Sequence, residues 1–241
     1  MYLLMNRPNK YSSKDKMSDI ICSNYTLLQV FSRFEIPLGF GDRTTEEICR
    51  ENNIDCHTFL TIIDFMDSNA PYQFECPDIH LPTLLKYLEQ AHTYFLDFYL
   101  PMIRRKLIEA LDYTENNDVN MLILQFFDQY ADEVRRHMEY ENRYVFSYVE
   151  AILGNSEPTS PFSMTTFASR HKQLDGHHIE AKLTELKNII IKYYPAKAYN
   201  NLLNSVLFDI FSCEKELAMH CLLEDFLLVP AVLRFEKENR K

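Results

Sequence analysis

The sequence predicts an all-α protein: an up-down-up-down four-helix bundle preceded by a small three-helix domain. Three observations carry this expectation. Glycine is scarce, with four in 241 residues, where average usage of about 7% would give roughly seventeen; sheets need tight turns, and those turns need glycine. Apolar residues recur at helical spacing over four long stretches beyond residue 80. Proline, asparagine, aspartate and serine gather between those stretches, where they stop helices and shape turns.

Residues 1–70 are read as the small domain. After a tail of about ten residues, "MSDIICSNYTLLQVFSRF" offers Ser18 as an N-cap for one helix reaching Phe34. "EIPLGFGD" breaks that helix and holds half of the chain's glycines. "TTEEICREN" begins a second helix, with Thr44 and Glu47 spaced as a capping box. Asp55 caps a third, "CHTFLTIIDFM", which ends near Met66. "DSNAPYQFECPD", with Pro71 and Pro77, is a linker.

Residues 78–241 are read as the bundle. Its first helix runs from about Leu81 to Leu111, with Pro82 tolerated in the first turn and Pro101 expected to kink it. "DYTENND" is the turn into a second helix, from about Val119 to Leu153, ended by Gly154. "NSEPTSPFS" leads to a third, from about Met164 to Tyr194, stopped by Pro195. The fourth runs from about Ala198 to Phe235. Metal sites in such bundles are built from side chains facing inward.

The net charge of −10 argues against nucleic-acid binding, which rests on Lys and Arg neutralising phosphates. No apolar run is long enough to span a bilayer, and the first residues lack the pattern of a secretory signal. A cytoplasmic location follows as an expectation. Cys22, Cys49, Cys56, Cys76, Cys213 and Cys221 form no C-x-x-C pair and read as reduced thiols, used as small apolar side chains.

Two segments share one spacing. "EVRRHMEYE" places His137 between Glu133 and Glu141; "ELAMHCLLE" places His220 between Glu216 and Glu224. His-x-x-x-Glu puts imidazole and carboxylate one turn apart on one helix face. Two such matches are weak evidence by themselves, and depth adds weight. His92 lies about eleven residues into its helix, while Glu141 and Glu224 lie about twelve and eleven before the ends of theirs. At about 1.5 Å per residue, those positions share a level. The third helix offers His171 or His178, on one face two turns apart, with Asp175 between them. Four imidazoles and two carboxylates that can each bridge suit a pair of iron ions, although the same ligands accept manganese and zinc. Glu133 and Glu216 fit either as acceptors for ligand N–H groups or on a solvated face.

These segments resemble known ones. "HMEYENRYVF" and "HCLLEDFLLVP" resemble the H-x-x-x-E ligand segments of hemerythrin-like domains. "YLEQAHTYFLDFYLP" and "FASRH" resemble the first and third ligand segments of the di-iron proteins that repair iron–sulfur clusters. "SNYTLLQVFSRFEIPLGFGDRTTEEICRENNID" resembles their small amino-terminal domain. The resemblance implies a non-haem di-iron protein, with oxo and carboxylate bridges, that restores iron–sulfur clusters damaged by nitric oxide or oxidative stress. Its implied metal ligands are His92, His137, Glu141, His171, His220 and Glu224, with both glutamates bridging. It implies damaged iron–sulfur proteins as clients, nitric oxide or oxygen as ligand, no nucleic acid and no membrane; a homodimer is compatible with it. One departure stands out: the family's small domain carries an adjacent cysteine pair before glycine, where this chain reads Leu38, Gly39, Phe40, Gly41. That departure favours an alternative, a hemerythrin-like oxygen or nitric oxide binding and sensing protein without repair activity.

Overall fold

A computed structural model describes residues 10–68, 78–111, 118–156, 161–170, 176–194 and 199–239. Its regular elements are all helical, as expected. The chain divides into two compact units, one drawn from Met1–Ala91, Tyr148–Thr159 and Leu222–Lys241, the other from His92–Ser147 and Ser160–Cys221.

The first unit opens with α1 (Met17–Ser23), a 3₁₀ turn (Tyr25–Leu27) and α2 (Leu28–Arg33). The single helix expected from Ser18 to Phe34 is therefore two. Asn24 is the cause: its backbone is extended and its side chain accepts the Thr26 N–H, which offers the chain a turn in place of a helix. Ser18 is not the cap either. Lys16 holds that position, because it bridges antiparallel to Thr44 while the Met17 N–H donates to the Arg43 carbonyl at 3.2 Å. Pairing with the segment before the next helix sets the start.

The turn after α2 needs left-handed backbone at Glu35, Gly39 and Gly41, which explains why glycine is spent there. Next come α3 (Thr45–Glu51) and α4 (Cys56–Asp67). Thr44 and Glu47 form the expected capping box, and the Asp55 carboxylate accepts the Thr58 N–H at 2.7 Å. The core of this unit is aromatic. Phe59 meets Phe31 and Phe34 at ring distances of 5.5 and 5.3 Å, and Phe34 meets Tyr87 at 5.1 Å. Tyr87 lies on α5 (Leu81–Thr93). Arg33 is buried here, donating to the Tyr87 hydroxyl at 3.1 Å.

α5 runs through a π-helical turn, Tyr94–Tyr99, into α6 (Leu100–Ala110). The Leu100 N–H donates to the carbonyl of Phe95, five residues back. Pro101 follows and has no N–H to give the Asp97 carbonyl. The expected perturbation at Pro101 thus takes the form of a widened turn just before it. The fourth long helix repeats the device: α11 (Asn201–Leu223), a π turn (Glu224–Leu228), then α12 (Val229–Asn239) with Pro230 in its first turn. There the Val229 N–H donates to the Glu224 carbonyl. The second long helix consists of α7 (Asp118–Tyr140), a π turn (Glu141–Phe146) and α8 (Ser147–Leu153). No proline follows; instead the Ser147 hydroxyl bonds the Asn142 carbonyl at 3.0 Å. Its end is a Schellman motif in which Asn155, not Gly154, takes the left-handed conformation, and the Ser156 N–H reaches the Ala151 carbonyl at 2.9 Å.

The third stretch holds α9 (Met164–Arg170), α10 (Gly176–Asn188) and a π turn (Ile189–Tyr193). Tyr194, just before Pro195, is extended, as the proline ring demands of its predecessor. Within the second unit the helical stretches close a ring. His92 meets Asn142 while Arg104 meets Asp128, so the first and second run antiparallel. His92 meets His220 while Asn200 bonds the Ala110 carbonyl, so the first and fourth are antiparallel too. Glu133–Lys182 ties second to third, and Lys187–Glu214 ties third to fourth. Among the described residues no helix is long and apolar enough to cross a membrane.

Candidate metal centre

The centre is built around Glu141, the first residue of the π turn in the second helix. A π turn adds a residue to one turn of helix and often marks a functional position. Glu141 is fully buried. One of its oxygens, Oε1, lies 3.1 Å from His137 Nε2; the other, Oε2, lies 3.5 Å from His92 Nε2. The carboxylate therefore offers one oxygen to each of two imidazoles. His92 Nε2 in turn lies 2.9 Å from His220 Nε2. His92 and His220 are both buried.

Two neighbours hold the His92 ring. Phe146 stacks on it at 4.9 Å between centroids and 23° between planes. Asn142 Oδ1 sits 2.7 Å from its Nδ1. With the amide oxygen toward the ring, Nδ1 keeps the proton and Nε2 presents its lone pair to the cluster. Phe95 packs edge-on to His220 at 6.2 Å.

Donor atoms of His92, Glu141 and His220 lie within 4.8 Å of one another. Neighbouring ligands of one octahedral metal at about 2.1 Å stand roughly 3 Å apart, so this spacing fits a shared cation. The chemistry fits as well, because imidazole and carboxylate serve iron, manganese and zinc. His137 gives an independent sign. Burial works against a charged ring there, yet the Glu141 carboxylate and then the Cys221 thiol outweigh it, holding its pKa up to about 11. A buried carboxylate calls for positive charge, which a proton on His137 supplies without metal and a metal supplies otherwise.

Glu224 belongs to the other compact unit. It is fully buried and begins the π turn Glu224–Leu228, four residues after His220 on one uninterrupted helical stretch. Glu141 stands in the same relation to His137. His171, expected from the third helix, lies outside the described residues; for His178, its alternative, only a place in α10 is described. Glu133 pairs with Lys182, whereas Glu216 is buried, and its charge raises the pKa of the Tyr99 hydroxyl, on top of the larger effect of that group's own burial.

Two residues at the centre escape a reading by spacing. Asn142 and Cys221 each follow a residue of the His-x-x-x-Glu pairs, and it is the fold that turns Asn142 toward His92 and Cys221 toward His137. The only signal in the sequence is that adjacency.

Residues 83–232 match the family described as the Hemerythrin HHE cation-binding domain. No curated protein and no solved structure matches the chain. The match spans well over half of the sequence and contains every residue of the buried cluster, so the chain belongs to the hemerythrin HHE cation-binding domain family.

Proposed function

We propose that the chain is a non-haem di-iron protein that takes part in the repair of iron–sulfur clusters damaged by nitric oxide or oxidative stress. The observation that carries the di-iron reading is Glu141, whose two oxygens face two different histidines. That is how a carboxylate bridging two ions is placed. The ligands in this reading are His92, His137, Glu141, His171, His220 and Glu224. Glu224 is assigned as the second bridge from its burial and its place, one turn beyond a histidine at the head of a π turn.

Bound iron would supply redox change and open coordination positions for a small ligand such as nitric oxide or oxygen. The chain supplies the rest. Asn142 and Phe146 fix the His92 ring, and the apolar side chains around it keep the donors dry. The repair assignment rests on the resemblance of the small amino-terminal domain, residues 1–70, placed ahead of the metal-binding domain, residues 78–241. In this reading damaged iron–sulfur proteins in the cytoplasm are the clients, and neither nucleic acid nor membrane is a partner. A homodimer is compatible with it.

The glycine turn at Leu38–Gly41 favours a second reading, reversible binding of oxygen or nitric oxide with signalling through the small domain. One experiment separates the two. The iron-loaded protein is added to a cluster enzyme inactivated by nitric oxide, and the return of its activity is followed. Recovery that His137→Ala and Glu224→Ala abolish supports repair. Spectral change on gas binding, with no recovery, supports sensing and overturns repair.

A further inference from the structure

Among the cysteines read as small apolar side chains, Cys221 stands apart. It follows His220 on α11, and successive residues of a helix point about 100° apart. His220 meets His92, while Cys221 turns to the second helix, where its sulfur and a ring nitrogen of His137 lie within 4.8 Å of each other. His137 in turn has Glu141 Oε1 at 3.1 Å. Two sets of donors thus share the Glu141 carboxylate. His92 and His220 bring nitrogen to its Oε2 side; His137 and Cys221 bring nitrogen and sulfur to its Oε1 side. Among the described residues no other cysteine joins a group of potential metal donors.

We propose that the Cys221 thiolate is a metal ligand, so that the centre holds two unlike positions: imidazole and carboxylate at His92, His220 and Glu141, and imidazole, carboxylate and thiolate at His137, Glu141 and Cys221. The proposal rests on the two-ion reading of Glu141. Distance supports it first. Nitrogen and sulfur on one tetrahedral ion, at about 2.1 and 2.3 Å, stand roughly 3.6 Å apart, so His137 and Cys221 are close enough to share one. Chemistry supports it second. The metal takes the thiolate, and the thiol proton leaves to solvent. Cys221 is half-buried, not sealed in the core as Cys213 is two turns earlier.

A thiolate changes what its position favours. Sulfur is a softer donor than imidazole nitrogen or carboxylate oxygen, and zinc binds it readily. Limiting zinc should therefore fill the His137–Cys221 position first and the His92–His220 position second. The sulfur around bound zinc records that order: about one sulfur per ion at one equivalent, and about one for every two ions when both positions are filled. With iron, the same ligand makes the two ions inequivalent.

The test uses the full, reduced chain with zinc alone as probe, added at one and then two equivalents. Bound metal is counted and zinc X-ray absorption recorded. The expected result is a sulfur shell at about 2.3 Å beside nitrogen and oxygen at about 2.0–2.2 Å, with the sulfur per ion halved between the first and second equivalent. Cys221→Ser should lose that shell, and Cys22→Ser, at an exposed cysteine, should keep it. In the native chain zinc should abolish alkylation of Cys221 by iodoacetamide and leave that of Cys22 unchanged, a reading that needs no variant to fold. The proposal is overturned if the native chain binds zinc through nitrogen and oxygen alone, if Cys221 is alkylated equally with and without zinc, or if the sulfur shell survives in Cys221→Ser. Two ions bound without sulfur would leave the two-ion reading standing. A single ion bound through Cys221 would support the thiolate and overturn the two-ion reading, and a native chain that binds no zinc overturns both.

Discussion

Asn142 is the residue whose contribution can be isolated most cleanly. It touches His92 through Nδ1, on the side away from the cluster, so it acts on metal through the ring it holds. Removing such a partner costs about 10–100-fold in metal affinity. Asn142→Leu is expected to weaken iron retention by that factor in chelator competition, and Asn142→Asp, which keeps an acceptor, to restore most of it. Equal retention in the leucine variant would remove Asn142 from the centre. The His137–Glu141 contact was legible in the sequence as a spacing of four, because helix geometry alone brings such pairs together. Asn142 and Cys221 were not, because which way a residue next to a ligand turns depends on a neighbouring helix that the sequence does not locate.

At the scale of elements, caps were readable and interruptions were not. The box at Thr44 and Glu47 is local chemistry, complete within four residues, and it formed as read. Thr44→Ala is expected to cost about 1 kcal/mol, seen as an earlier midpoint in urea with little change in slope. A loss near zero would mean that tertiary contacts hold α3 without its cap. The break at Asn24 was missed because the apolar pattern passes straight through it, while the asparagine side chain closes a competing turn. Proline gave a half-correct signal. Pro101 pointed to a disturbance, and the structure absorbs it as a π turn one step earlier. Pro230 does the same in the fourth helix, and Ser147 reaches a similar end in the second through its hydroxyl. The π turns of the second and fourth helices begin at Glu141 and Glu224.

At the scale of the whole molecule, one half-buried acid contributes a pH dependence. Burial pushes the Asp64 carboxyl up to about 6, and the Lys10 and Tyr11 backbone amides only partly oppose it. The folded chain thus holds a proton that the unfolded chain releases near the ordinary value of 3.8. The contribution of Asp64 to stability should fall as pH rises from about 4 to 6, then level off. The ceiling for two pKa units is about 3 kcal/mol, and partial exposure brings the expected effect to roughly 1–2 kcal/mol. Asp64→Asn should be the more stable form at pH 7 and lose that advantage at pH 4. A constant difference between the two proteins at both values would contradict this.

Fold class was readable at this scale because scarce glycine and helical periodicity are properties of the whole chain. The finer question is whether the buried imidazoles and carboxylates act as one metal centre. Metal that binds the folded chain alone stabilises it by about 2.7 kcal/mol per site at a hundredfold excess over Kd. Iron removal is therefore expected to lower the thermal midpoint of the native chain and to leave that of Glu141→Gln nearly unchanged. The most direct measurement is metal content together with the optical spectrum of the purified chain, beside Glu141→Gln and His220→Ala. The account predicts about two irons per native chain, a near-ultraviolet band of bridged ferric iron, and sharp loss of both in each variant. Full metal occupancy in the variants, or a native chain that takes up no iron when offered it under reducing conditions, would contradict it.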